Sequence, residues 1–541
     1  MKRWLCLLLA LMLLLSGCSK DADGKEPAAA TERPAAESAP EAFPGQGANR
    51  DSGLVQDKFG LTYVAEFGFN PYTCTCITNR PVLSLVYEGL FVLNSYFEPE
   101  PVLCERFAAS EDGKHYLFTI CPDAVFSDGS PVTAADAAAS LEAARDSAYF
   151  GSRFSKVIEF RAEDERKLAV TLSTPYENLP LLMDVPIVKA DTVADATPIG
   201  SGPYAFAAGS RKRLLRSAGW WQNCPAPIAF DEILLTEAKD PTEIRDSFEF
   251  GDTSLVCADL NAPTAVGYRC DYELWDCPTS TMVYLGFNLE RGMFVNRGFR
   301  AGITHIIDRN AITTKICKGF AETACLPCSP ASPLYDETLA KSFGYDVAAF
   351  RSVRNEAGIS SEYVGTFLVC SADPTMVEIA HRVAEMLNQA GVRVEVHAAD
   401  YDTFHYLLRA GKFDCFLGEV RLSATFDLSE FFRRYGGLNY GGLQSESMET
   451  LCKAALENSG NCYDLFRSVM ERGSFCPLLF KSYAVMAKRG AIDSLQPAVD
   501  NVFHLSGGRS LADAGTVYEI LTGEATEETE SPAETGEPEN P

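Results

Sequence analysis

The chain is 541 residues long, with 46% hydrophobic and 11% aromatic residues, so it holds more apolar surface than one core uses and should divide into two or three domains. A formal charge of -27 argues against nucleic acid as a partner, because phosphate binding needs a basic face, and it keeps the body of the protein off an anionic membrane surface.

Met1-Lys2-Arg3 precedes an apolar run from Trp4 to Leu15 that is too short to span a bilayer comfortably and reads as a secretory signal. The run ends in Leu15-Ser16-Gly17-Cys18, which resembles the bacterial lipobox, whose cysteine receives a diacylglycerol and becomes the mature N-terminus. Cys18 is therefore the expected lipidation site, and the protein is expected on the extracytoplasmic face of the cell membrane, held by its lipid anchor. Residues 19–52 are Ala, Pro, Glu and Gly with almost no large apolar side chain, a composition expected of a disordered tether. Residues 523–541 are acidic, small or Pro and are expected to form a disordered tail.

Of the 18 cysteines, removing Cys6 and Cys18 leaves 16, an even number that permits disulfides in an exported protein. A chain this large does not need staples, and Cys121, Cys370 and Cys415 lie inside apolar runs, so most are expected as buried thiols. Cys325-Leu-Pro-Cys328 has thioredoxin-like spacing but no helix start directly behind it.

Leu61 to Ala65 reads as an opening strand, followed by the turn-rich stretch Phe69 to Asn79 and by helical spacing from Pro81 to Leu90. A turn at Glu111-Asp112-Gly113 leads into the alternating strand His115 to Ile120. Thr133 is placed to cap a helix, with Asp136 completing a box in its first turn. Gly200-Ser201-Gly202-Pro203-Tyr204 is a glycine turn feeding a strand, with neither a phosphate-loop lysine nor the spacing of a nucleophile elbow. From Gly365 to Phe432 the apolar period changes at regular intervals. The strand Gly365 to Cys370 is followed by a helix opened by Asp373-Pro374, the alternating strand Val392 to Val396, a helix from Asp400 to Leu408, and a strand from Phe413 to Val420. Such an order predicts a parallel sheet with helical crossovers, and it makes the loop Arg421 to Asp427, beyond a strand's carboxyl end, a candidate pocket wall.

Several ordered motifs resemble family 5 of the extracellular solute-binding proteins. They are Asn70-Pro71 with Tyr87-Glu88-Gly89-Leu90, then Asp112-Gly113-Lys114, Phe126-Ser127-Asp128-Gly129, Pro131 to Ala134 and Asp136. Ile199 to Tyr204, Trp220-Trp221, Phe287-Asn288 and Asn296-Arg297 through Arg300 to Arg309 continue the series. The resemblance implies an α/β, two-lobed periplasmic-binding-protein-like fold (type II, cluster C-like) with an extra subdomain on the first lobe. The first lobe is expected over 53–280 with the subdomain at about 69–195, the second over 281–486, and a return to the first over 487–522. It further implies a monomer that is not an enzyme and needs no cofactor. Such a monomer captures short peptides or peptide-like solutes and delivers them to the permease and ATPase of an ABC transporter. A nickel or metal-chelate receptor of the same family is the alternative, and a non-transport surface sensor or scaffold is the alternative of another class.

The ligand-binding candidates are Cys74, Thr75, Cys76 and Ile77, which fall where peptide-binding members line the cleft, and Arg421, Ala424, Phe426 and Asp427. Cys74 and Cys76 could hold a soft metal, but the six histidines are scattered and supply no cluster, so no metal site is assigned. In peptide binders of the family an aspartate three residues before another acid meets the ligand's amino group. Here Asp427 fits the second acid, and Ala424 stands where the first would be, which removes a charge-assisted bond. Arg421 can offer a fork either to an anionic solute or to a carboxylate of the lobe such as Glu419 or Asp427. No nucleophile with a base, zinc helix or phosphate cradle emerges, although acidic residues are plentiful enough that composition leaves a paired-carboxylate hydrolase open.

Overall fold

A computed structural model describes residues 58–222, 224–262, 264–357, 362–492 and 494–505. The signal, Cys18, the tether and the acidic tail lie outside the described residues. Within them the chain is mixed α/β and two-lobed, and both lobes are built on one eleven-stranded sheet. Two long antiparallel strands, Tyr272–Phe287 and Phe475–Lys488, form its spine. On one side Phe475–Lys488 pairs with Leu255–Ala258, which neighbours Phe59–Tyr63. On the other, Tyr272–Phe287 pairs with Cys415–Arg421.

The spine breaks register between Pro278 and Met282. A break in a ladder strands backbone groups, and nearby hydroxyls take them up. Thr279 Oγ1 donates to the Lys481 carbonyl at 2.7 Å and accepts from the Thr281 N–H at 3.1 Å, while Ser280 Oγ donates to the Leu422 carbonyl at 2.6 Å. The irregularity therefore sits where the two lobes join. One apolar cluster is built around Phe59, Leu85, Phe118 and Leu168 and another around Leu285, Phe299, Ile379 and Leu417, while a third joins Leu93, Phe97 and Leu181 to Met282, Phe426 and Phe480 across the boundary.

The second lobe contains the parallel unit expected from periodicity. Gly365–Cys370 lies between Val394–Ala399 and Cys415–Arg421 and is parallel to both. Asp373 accepts from the Thr375 and Met376 N–H groups to cap the helix Pro374–Gln389, and Asp400 caps Tyr401–Arg409 through Thr403. The third strand starts later and ends later than its apolar run suggests. Arg421 is its last residue, in register with Thr281, so the connecting loop begins at Leu422.

In the first lobe, Phe59–Tyr63 runs parallel to Glu232–Glu237. Between them in sequence stands a separate four-stranded antiparallel sheet of Cys104–Ala109, His115–Ile120, Lys167–Leu172 and Val157–Ala162. The helix Ala134–Arg145 packs on it and begins with the expected capping box between Thr133 and Asp136.

The motifs at 87–90, 199–204 and 220–221 meet at one buried carboxylate. Glu88 accepts from Ser201 Oγ at 2.7 Å, Trp220 Nε1 at 3.1 Å, Trp221 Nε1 at 2.8 Å and Gln222 Nε2 at 2.7 Å. Gly200 completes the approach, since a Cβ there would stand 2.1 Å from the Val86 carbonyl oxygen. Burial pushes the Glu88 carboxyl up to about 7 against these four donors, which favour the ionised form. An amide at this position would turn an N–H₂ toward N–H donors. Glu88→Gln should therefore lower thermal stability by about 1–3 kcal/mol, the cost of leaving buried donors unmet, as read by calorimetry or circular dichroism.

Candidate functional site

The loop that leads into the site is fixed by two asparagines. Asn70 donates to the Val193 and Asp195 carbonyls and accepts from the Tyr72 N–H, while Asn79 donates to the Val64 and Gly68 carbonyls and accepts from the Val64 N–H. The chain then turns directly into the helix Arg80–Val86, with Pro81 in its first turn, where a missing N–H costs nothing. This places Arg80 in the wall of a cavity of about 150 Å³. Its wall includes Cys74, Leu83, Tyr87, Phe91, Tyr149 and Asp184 from the first lobe, Arg421 from the second, and the segment Val499, Asp500 and Asn501.

Two guanidiniums from different lobes share one carboxylate in this wall. Arg80 reaches Asp500 Oδ1 at 2.7 Å, and Arg421 reaches Oδ2 through two nitrogens at 2.6 and 3.2 Å. The Tyr149 ring lies beneath both cations, 4.1 Å from the Arg421 guanidinium carbon and 5.4 Å from that of Arg80, and its hydroxyl accepts from Arg80. Burial raises the Asp500 carboxyl, but the Arg421 and Arg80 charges and their hydrogen bonds outweigh it and hold the group at about 2. The side chains of Arg80, Asp500 and Arg421 are 14%, 12% and 26% exposed, so water screens this triad far less than a surface pair.

Arg421 thus takes neither of the partners expected from sequence. Glu419 is bound to Lys481 at 2.5 Å, and Asp427 turns inward to accept from the Ser429 N–H and hydroxyl at 2.9 and 2.5 Å. Of the eight ligand-binding candidates, Cys74 and Arg421 line the cavity. Thr75 is exposed, Cys76 is half-buried, and Ile77 packs against the first-lobe core. Ala424 is buried, and Phe426 packs between Phe97 and Phe480 at 5.1 and 5.8 Å. Thr425 shares a 2.6 Å hydroxyl hydrogen bond with Tyr176, which ties this loop to the other lobe.

Among the described residues no group of three or more His, Cys, Asp and Glu gathers to hold a metal. Burial pushes the Cys74 thiol up, the opposite of what a thiolate ligand needs, and does the same strongly at Cys328 of the Cys-x-x-Cys stretch. Sequence reasoning missed Arg80, Tyr149 and Asp500. Arg80 directly follows a stretch that was singled out and was within reach. Asp500 stands in Pro497-Ala-Val-Asp-Asn501, which carries no pattern.

Removing Arg421 leaves Asp500 half-neutralised, so Arg421→Ala should lower the stability of the protein without added solute by about 1–3 kcal/mol in thermal unfolding. Asp500 is depressed from an ordinary value near 3.8, so its contribution is complete above that pH and is lost as pH falls toward 2. Acid unfolding of Asp500→Asn should lack that increment.

Residues 98–441 match the family model described as bacterial extracellular solute-binding proteins, family 5 middle. The glutathione-binding protein GsiB of Escherichia coli (strain K12) is 23% identical over 347 residues, which cover 61% of this chain and 67% of that protein. The substrate-binding protein CtaP of Listeria monocytogenes has the same fold at a TM-score of 0.69 and 15% identity, covering 83% of this chain and 98% of that one. NikA of Brucella suis, solved with Fe(III)-EDTA, aligns at a TM-score of 0.62 and 17% identity over 84% of this chain and all of its own. No helix among the described residues is long and apolar enough to cross a membrane. The family consists of substrate-binding proteins of ABC transporters and not of enzymes. Because the family match spans more than half of the sequence, the chain belongs to the bacterial extracellular solute-binding proteins of family 5.

Proposed function

We propose that the protein captures short peptides or peptide-like solutes in the cavity walled by Arg80, Tyr149, Arg421 and Asp500 and passes them to an ABC permease. The observation that carries this is a wall drawn from both lobes, in which charged groups stand beside the apolar and aromatic side chains of Leu83, Tyr87 and Phe91. Peptides present the same mixture. At about 150 Å³ the cavity is small beside the roughly 300–1,000 Å³ of drug-sized pockets, which favours a short solute. Cys74, Thr75, Cys76 and Ile77 belong to this reading as the loop that carries the cavity edge, and Ala424, Phe426 and Asp427 as the loop that closes beside it.

A metal chelate is the second reading, favoured by one observation. Ala424 offers no carboxylate to a peptide's amino terminus, and a chelate, which brings its own ligands, needs none.

Mass spectrometry of solute released by denaturing protein purified from cells in rich medium should recover short peptides. Recovery of nickel or iron complexes in their place would reverse the order of the two readings. We also assign lipid anchoring to Cys18. Growth with a tagged fatty acid should label the wild-type chain, and Cys18→Ala should abolish the label and release the protein from the membrane fraction.

A further inference from the structure

We propose that Arg80 and Arg421 form an interlobe anion site that the chain fills with its own carboxylate, Asp500, so that an acidic solute reaches the two guanidiniums only by displacing it. This rests on the cavity being the solute site.

The two cations stand on regular elements. Arg80 is the first residue of a first-lobe helix, and Arg421 is the last residue of a second-lobe strand. Asp500 stands on irregular chain. Its N–H donates to the Pro278 carbonyl at 2.9 Å, beside the register break of the spine, and its φ of 57° lies in the left-handed region that Asp tolerates at a modest cost. The bridge between Ala498 and Asn501 holds the segment in a tight turn, and Val502 and Phe503 anchor it in the first-lobe core. The anion is thus presented by a short turn while its cations are presented by rigid frames.

Among the described residues, the other acids at or near this wall are already engaged. In the wall Asp184 is engaged by Arg153 and Glu88 by its four donors, and Glu419, two residues before Arg421, is engaged by Lys481. Asp500 therefore decides alone whether the two guanidiniums are compensated. With it in place they are bridged across the lobe boundary. With it displaced, a carboxylate from a solute meets the same fork geometry and the same Tyr149 face. An internal competitor lowers the apparent affinity for an external carboxylate by the fraction of molecules in which the site is open, so it sets a threshold on which acids bind.

Chemical rescue of the full chain tests the proposal. Asp500→Ala should lower the melting temperature and increase the radius of gyration in small-angle scattering. Acetate at constant ionic strength should restore both saturably, whereas acetamide should not, and the double variant Asp500→Ala with Arg421→Gln should not respond. Asp500→Asn keeps the shape of the turn and guards against misfolding of the alanine variant. By titration calorimetry it should bind acetate at least roughly tenfold more tightly than the wild type, because the competitor is gone. Acetate that binds wild type and Asp500→Asn equally, or rescue that survives loss of Arg421, would overturn the proposal and leave Asp500 as a fixed structural bridge. Because acetate is the probe, the result stands apart from the identity of the natural solute. Rescue with no peptide among the released solutes would refute the peptide reading alone.

Discussion

A carboxylate buried away from water is tolerated only where donors converge on it, and Glu88 imposes that condition on the whole first lobe. Its four donors come from the 201–222 stretch, more than a hundred residues away in sequence, so the lobe has to bring these segments together before the charge is compensated. Glycine at 200 and 202 is what lets the backbone come that close, since a Cβ at either would collide with the carbonyls of the Arg80–Val86 helix. The segment that carries Glu88 also supplies Tyr87, Gly89 and Phe91 to the cavity. The motif Tyr87-Glu88-Gly89-Leu90 thus combines a charge compensated inside the lobe with neighbours that line the cavity.

The same electrostatic rule recurs at the lobe boundary with cations in place of neutral donors. Asp500 is fully compensated only when both lobes contribute, because Arg80 opens a first-lobe helix while Arg421 ends the strand that pairs with Thr281, at the spine's register break. Lys481, in the spine itself, is buried and pairs with the more exposed Glu419. The lobes are thus held by charges whose geometry depends on their relative placement, which suits a receptor that must convert a small movement into a large change in compensation.

The parallel unit from Gly365 to Arg421 was legible because each of its parts carries an independent signal. Asp373-Pro374 and Asp400 mark helix starts, Met376, Ile379, Val383 and Leu387 keep helical spacing, and the strands are short apolar runs. The eleven-stranded sheet was not legible, since the pairing of Tyr272–Phe287 with Phe475–Lys488 joins segments some two hundred residues apart and leaves no local trace. The site was legible in part. Ordered motifs pointed to the stretch from Cys74 to Ile77 and to Arg421, but the partner of Arg421 was sought among its sequence neighbours, and Glu419 and Asp427 were already committed to Lys481 and Ser429.

The loop after Arg421 shows why a pattern can locate a place and miss its role. Strand alternation puts Glu419 and Arg421 on one face, and both find partners there, Lys481 and Asp500. Beyond the strand, Phe426 at a φ of 51° is driven into an apolar gap between Phe97 and Phe480, and that burial forces Asp427 back onto its own helix start. Thr425, left facing the other lobe, meets Tyr176. The loop, expected as a recognition surface that opens with Arg421, also ties the lobes together through the Phe426 ring and the Thr425 hydroxyl, and the carboxylate that meets Arg421 is supplied by a turn 79 residues further along the chain.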